Sequence, residues 1–251
     1  MYDFYWRAVD RSVIDDREKE VDFYRNLLRG FHKGDLIFDI GANRGIKTDM
    51  FLRLGARVIA VEPDEACCEI LRRRFLKYRF FREPVAIVQG AVSDRDTLET
   101  LWIDEPGSAE NTLSSKWVET LRSDVKRFGH GLNFSGQTEV ETTTLEMLIG
   151  NNGLPFFIKV DVEGYELHVL RGLRQPVPYL SFEVNLPEFR SEGLQCVDVL
   201  ETLASGGKFN YTDDCRRGLA LKQWLAPQEF SPLLARCVDP SIEVFWRTDL
   251  A

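Results

Sequence analysis

An apolar run that ends in a carboxylate and a glycine turn constrains this chain more than any other feature. Residues 36–45, "LIFDIGANRG", read as a short buried strand, then Gly41 and Gly45, then the helical pattern "IKTDMFLRLG". Glycine lets the backbone turn sharply and approach a ligand closely, and the following helix offers N–H groups without intrahelical partners. The turn is therefore suited to a nucleotide-like ligand. The same alternation continues with a strand at 57–61, a helix at 64–77 and a strand at 85–89. It resumes with helix "TLEMLIG", strand "PFFIKVD", helix "YELHVLRGL", strand "YLSFEVN", a helix at 192–204, and terminal strands near "FNYT" and "EVFWR". Alternation of this kind predicts an α/β, doubly wound fold with a mostly parallel sheet, whose ligands bind beyond the carboxyl ends of the strands.

Two stretches stand outside the alternation. Residues 1–33 place apolar and aromatic side chains at helical intervals (Phe4, Val9, Val13, Val21, Tyr24, Leu27, Leu28) and are expected to form a helical cap. Residues 93–143 interrupt the 34–251 domain after its third strand, with the turn-rich "DEPGSAENTLSS" and "GHGLNFSGQ" around a helix over about 116–128. This insertion carries Trp102 and Trp117, which are suited to stacking on a sugar ring or to packing. Cap and insertion together are expected to cover the substrate.

Composition narrows the partners. With 251 residues, 44% of them hydrophobic, the chain can bury one substantial core. A formal charge of −8 argues against nucleic acid, and Arg72-Arg73-Arg74 reads as the solvated face of a helix. The amino terminus carries charges throughout and no apolar run long enough for a membrane span, so a soluble, cytoplasmic protein is expected. Five cysteines without metal-binding spacing read as free thiols.

Which ligand the turn takes depends on its neighbours. Glu62 ends the second strand in "VIAVEP", about 20 residues after Gly41, where a carboxylate accepts the hydroxyl protons of an adenosine ribose. Either NAD or S-adenosylmethionine would need that. A dinucleotide fingerprint would read GxGxxG, and "GANRGIK" lacks its third glycine. Asp39 would repel a pyrophosphate but complements the amino group of a methionine tail, which favours S-adenosylmethionine. In "VQGAVSD", Gly90 leaves room for an adenine, and Ser93 or Asp94 can meet its exocyclic amine.

"DIGANRG", "VIAVEP", "VQGAVSD", "TTTLEML" and "KVDVEGYE", occurring in that order, resemble the FkbM-type S-adenosylmethionine-dependent methyltransferases over residues 34–190. The resemblance implies a class I methyltransferase fold, a seven-stranded sheet with its last strand antiparallel, and O-methylation of a hydroxyl on a sugar, glycan or secondary metabolite. It places the cofactor on Asp39, Gly41, Asn43, Gly45, Thr48 and Glu62, with adenine near Gly90 and Ala91. Lys47 stands where related sequences often have an aromatic or small residue.

The chemistry then falls to the later strand ends. Methyl transfer to a hydroxyl needs alignment and a proton acceptor. Asp161 and Glu163 close the "KVDVEG" strand, and Glu183 and Asn185 close the next. Asp161 is the first choice as base, although Lys159, two residues away, can pair with it and lower its pKa. Glu163 can instead cap the following helix. Three carboxylates together can also hold a divalent cation. Of the histidines, His32 and His168 suit packing or solvent, and His130 within "GHG" is free to reach an acceptor. "NLPEF" lacks the second proline of the amino-methyltransferase motif and follows the wrong strand, which argues against nitrogen acceptors. The competing readings are an NAD-dependent oxidoreductase and a noncatalytic S-adenosylmethionine-binding partner module.

Overall fold

A computed structural model describes residues 11–79, 84–123 and 132–250. In chain order the strands are β1 (Leu36–Ile40), β2 (Arg57–Glu62), β3 (Val85–Gln89), β4 (Ala91–Val92), β5 (Leu98–Ile103), β6 (Gly136–Thr143), β7 (Phe157–Val160), β8 (Tyr179–Asn185), β9 (Lys208–Thr212) and β10 (Ser241–Arg247). The helices are α1 (Arg11–Leu27), α2 (Ile46–Leu54), α3 (Glu65–Arg74), α4 (Leu76–Arg79), α5 (Ser115–Ser123), α6 (Leu145–Asn152), α7 (Glu166–Arg171), α8 (Arg190–Leu203) and α9 (Pro227–Leu234).

Seven strands form the central sheet in the order β3-β2-β1-β7-β8-β10-β9. The first five run parallel, and β10 is antiparallel to both its neighbours. This is the class I methyltransferase arrangement that the family resemblance implies. The chain builds outward from β1 to β3 and then returns to place β7 beside β1. The order therefore reverses at the β1–β7 junction, where a crevice opens at the strand ends. Every residue of β1 and β7 is buried, as strands covered on both faces require. The two polar exceptions, Asp39 and Lys159, are register partners across that junction.

Local sequence sets the element ends. Gly45 (φ 77°) and Gly55 (φ 92°) bracket α2 in the left-handed conformation that glycine tolerates. Asp64 caps α3 by accepting from Ala66 N at 2.8 Å, and Thr144 caps α6 by accepting from Met147 N at 3.1 Å. Helix α1 joins the sheet's own core through Tyr24, which is fully buried and stands edge-on to Phe51. It brings Glu20 to within 2.6 Å of Lys47 on α2.

The region between β3 and β7 holds more regular structure than its polar composition suggests. A three-stranded sheet, β4-β6-β5, pairs Leu98–Ile103 against Gly136–Glu141. β5 was not expected, because its partner lies more than 30 residues downstream and its own pattern is short. Helix α5 covers the first part of the helix expected over 116–128, whose remainder falls largely outside the described residues. Helix α9 was likewise not anticipated. All five cysteines are free and buried, and among the described residues no helix is long and apolar enough to cross a membrane.

Candidate functional site

A cavity of about 300 Å³ opens at the carboxyl ends of β1, β2 and β7, within the range usual for small-molecule pockets. Its floor is the glycine turn. Gly41 has φ 78°, and a Cβ there would lie 1.8 Å from the carbonyl oxygen of Asp161, so only glycine lets the ends of β1 and β7 approach this closely. The N–H groups of Gly41 and Ala42 both donate to Val61 O at 3.0 Å. Asn43 (φ 47°) then turns its N–H onto Glu62 Oε2 at 2.7 Å.

Asp39 sits under this turn. Its Oδ2 accepts from Thr48 Oγ1 at 2.5 Å, whereas Oδ1 is buried with no hydrogen-bond partner among the described residues. Burial raises the Asp39 pKa despite the Lys159 charge and the Thr48 bond. An unpartnered buried acceptor carries a desolvation cost that a ligand's ammonium would remove. Burial also pushes Glu62 up to about 7, even though Oε1 accepts from Asp64 N at 2.8 Å and Oε2 from Asn43 N. Each oxygen keeps a lone pair for a further donor. A fixed carboxylate at one end and an unpartnered carboxylate oxygen at the other fit the ribose and the amino-acid tail of S-adenosylmethionine.

Of the residues expected at the cofactor, Asp39, Gly41, Asn43, Glu62, Gly90, Ala91 and Asp161 line this cavity. Gly45, Thr48 and Ser93 lie behind its wall. A Cβ on Gly45 would meet Leu71 of α3 and Phe75 just after it, so its smallness serves helix packing. Thr48 holds Asp39, and Ser93 is buried 3.3 Å from the Tyr165 hydroxyl.

Asp64, which sequence reading passed over, binds the insertion to the site. Beyond capping α3, its Oδ2 accepts from Gly107 N at 2.6 Å and from Asn111 Nδ2 at 2.7 Å. Arg44, inside the glycine turn, donates from Nε and Nη2 to Gly107 O at 3.1 and 2.8 Å. Thr112 Oγ1 donates to Glu163 O at 2.7 Å. Residues 104–113 thus form a strap whose Ser108, Ala109, Asn111 and Thr112 wall the cavity. The one sequence cue was a carboxylate directly after "VEP", at a helix start.

The acidic end lies at β7 and β8. One oxygen of each of Asp161, Glu163 and Glu183 falls within 4.8 Å of the others, close enough to share a cation. Lys159 Nζ already stands 2.6 Å from Asp161 Oδ2. Burial alone would raise Asp161, but the Lys159 charge and hydrogen bond hold its carboxyl below the ordinary value. Glu183 accepts from Ser241 Oγ at 2.9 Å and Asn185 Nδ2 at 3.0 Å, and burial followed by the Asp161 charge pushes it up to about 8. Glu163 (φ 54°) accepts from Trp117 Nε1 at 3.1 Å, and burial with the Glu183 charge raises it well above the usual range. Glu166 caps the loop before α7, accepting from Val162 N at 3.0 Å and Gly164 N at 3.3 Å. His168 stacks on Tyr165 at 4.2 Å, the His32 side chain is mostly exposed, and His130 lies outside the described residues.

A second cavity, of about 470 Å³, adjoins the first between the ends of β8, β9 and β10. Lys47, Lys159 and Asp161 line both. The two spaces therefore lie on either side of the acidic end.

Comparison with known proteins bears on this geometry. Residues 39–209 match the family described as "Methyltransferase FkbM domain". A solved structure, the methyltransferase FkbM from Methylobacillus flagellatus KT, superposes with a TM-score of 0.56 at 14% identity, over 90% of this chain and 47% of that one. At that identity it shows the fold alone, and this chain spans about half its length. A TehB-like SAM-dependent methyltransferase from Corynebacterium glutamicum aligns over 99% of this chain and 97% of its own, at 8% identity and a TM-score of 0.47. Ribosomal RNA small subunit methyltransferase A from Thermosynechococcus vestitus is 47% identical over 49 residues, 20% of this chain and 18% of that protein.

Proposed function

This chain belongs to the methyltransferase FkbM family, and we propose that it methylates a hydroxyl oxygen of a small polar or carbohydrate acceptor. Asp39, Asn43, Glu62, Gly90 and Ala91 would hold S-adenosyl-L-methionine. When bound, that cofactor supplies a methyl group made electrophilic by its sulfonium. Asp39 Oδ1 would take the ammonium of the tail, directly or through water, and Glu62 the ribose hydroxyls.

The observation that carries the oxygen acceptor is the meeting of Asp161, Glu163 and Glu183 where the two cavities adjoin. A hydroxyl is a poor nucleophile while it keeps its proton, so carboxylates at this point have more use for oxygen than for an amine. Their environments divide the work. Asp161, held anionic by Lys159, orients the hydroxyl as a hydrogen-bond acceptor but is a weak base. Glu183, pushed up to about 8, is matched to accepting a proton near neutral pH. This moves the base from Asp161, the first choice on sequence, to Glu183.

The test is a panel of hydroxylated acceptors assayed for S-adenosylhomocysteine release, with and without EDTA. On an acceptor that turns over, Glu183→Gln is expected to lose about 10²-fold or more in kcat while keeping cofactor affinity. For the wild type, kcat/KM should rise with pH up to about 8. An unchanged rate in Glu183→Gln moves the base elsewhere, with His130 the next residue to substitute. A rate abolished by EDTA and restored by magnesium would instead make the three carboxylates metal ligands.

A further inference from the structure

The second cavity holds four cations, and each is already engaged by a carboxylate of the same lining. Lys47 pairs with Glu20 at 2.6 Å and Lys159 with Asp161 at 2.6 Å. Arg216 pairs with Asp214 at 2.8 Å and Arg217 with Asp213 at 2.9 Å. Six carboxylates line the space, so two remain, Glu183 and Glu243. The first is the base proposed above.

Glu243 takes only neutral donors among the described residues. Its Oε1 accepts from Ser181 Oγ at 2.7 Å and from the Tyr24 hydroxyl at 3.5 Å, and its Oε2 from Cys215 Sγ at 3.3 Å. Burial, then the Glu243 charge itself, holds that thiol protonated, well above its ordinary pKa. Glu243 is also the direct register partner of Glu183 across the β8–β10 ladder. Lys47 and Lys159 are near enough to feel the Glu243 charge, and each is already paired with another carboxylate.

Resting on the methyl-transfer reading, we propose that this second cavity is the acceptor site and that its acceptor carries a protonated amine, which pairs with Glu243 while the hydroxyl to be methylated faces Asp161. Three observations carry it together. The cavity adjoins the cofactor cavity, with Lys47, Lys159 and Asp161 in the walls of both. Ten of its lining residues carry charged side chains, which an apolar ligand would strand without solvent. Among the described residues its internal ion pairs leave one carboxylate besides Glu183, and no cation, for a ligand to neutralise. The amine serves recognition, and the proton it carries keeps it from competing as the methyl acceptor.

Two sugars that differ mainly in this charge provide the test. The protein saturated with S-adenosylhomocysteine is titrated calorimetrically, in slightly acidic buffer, with glucosamine and with N-acetylglucosamine. Glucosamine is expected to bind at least about tenfold more tightly, and Glu243→Gln is expected to erase that preference. Retained affinity for S-adenosylhomocysteine reports that the variant folds, and the wild-type comparison stands without it. Equal binding of the two sugars, tighter binding of the acetylated one, no binding of glucosamine in the millimolar range, or a preference that survives Glu243→Gln would each overturn the proposal. Failure of S-adenosylhomocysteine itself to bind would overturn the cofactor reading instead.

Discussion

Glu62 does two jobs with one side chain. It fixes the glycine turn by accepting from Asn43 N and holds its own strand end by accepting from Asp64 N. The remaining lone pairs are left for the ribose. Glu62→Ala is therefore expected to weaken S-adenosylhomocysteine binding by about 1–3 kcal/mol, the worth of charge-assisted hydrogen bonds, and unchanged affinity by calorimetry would remove the ribose assignment. At Asp161 the expected substitution effect is on alignment. Asp161→Asn removes the partner of a buried lysine, so it should destabilise the fold as well as slow turnover, by roughly 3 kcal/mol or more as a broken buried pair does. Denaturant unfolding measures that cost, and a stability equal to wild type would show that Lys159 does not depend on Asp161. The Lys159–Asp161 pair was legible in the sequence because the two residues alternate along one strand. The Glu183–Glu243 opposition was not, since only the β8–β10 register brings those residues together.

The strap over residues 104–113 has no long helix or sheet of its own to hold it. Asp64, Arg44, the Thr112–Glu163 contact and one antiparallel bridge from Thr112 to Trp102 of β5 hold it. Asp64→Ala removes two of those hydrogen bonds and a helix cap together, and S-adenosylhomocysteine should then dissociate about tenfold faster or more, read by stopped-flow tryptophan fluorescence. Dissociation at the wild-type rate would mean the strap does not retain the cofactor. Elements built from local pattern were legible: α2 ends at the residues its flanking glycines dictate, and β1, β2, β3 and β8 lie where their apolar runs end. Elements built from distant pairing were not. Leu98–Ile103 becomes a strand only because β6 arrives to pair with it, and Asp64 acts through a loop more than 40 residues ahead in the chain. Thr48 and Ser93 show the same limit within the site, for they stand close to the cavity in sequence but their side chains are buried in the protein.

For the molecule as a whole, the acids raised by burial make stability depend on pH. Glu62 and Glu166 sit at about 7 and Glu183 at about 8, against an ordinary value of 4.5. Between those limits the folded chain binds more protons than the unfolded one, so stability is full below about pH 4.5 for these groups and is lost as pH rises through 7 to 8. Asp161 and Asp214 are depressed and remain ionised throughout that window. The ligand-free protein should therefore melt at least about 4 °C lower at pH 8.5 than at pH 6, and a melting temperature that is flat or rises would contradict the burial of these groups. The whole account rests on one location for the cofactor, at the point where the strand order reverses. Hydrogen exchange measured with and without S-adenosylhomocysteine tests it directly. The predicted result is protection concentrated at residues 40–47, 62–64, 90–92 and 107–113. Protection confined to other segments, or none on binding, would contradict it.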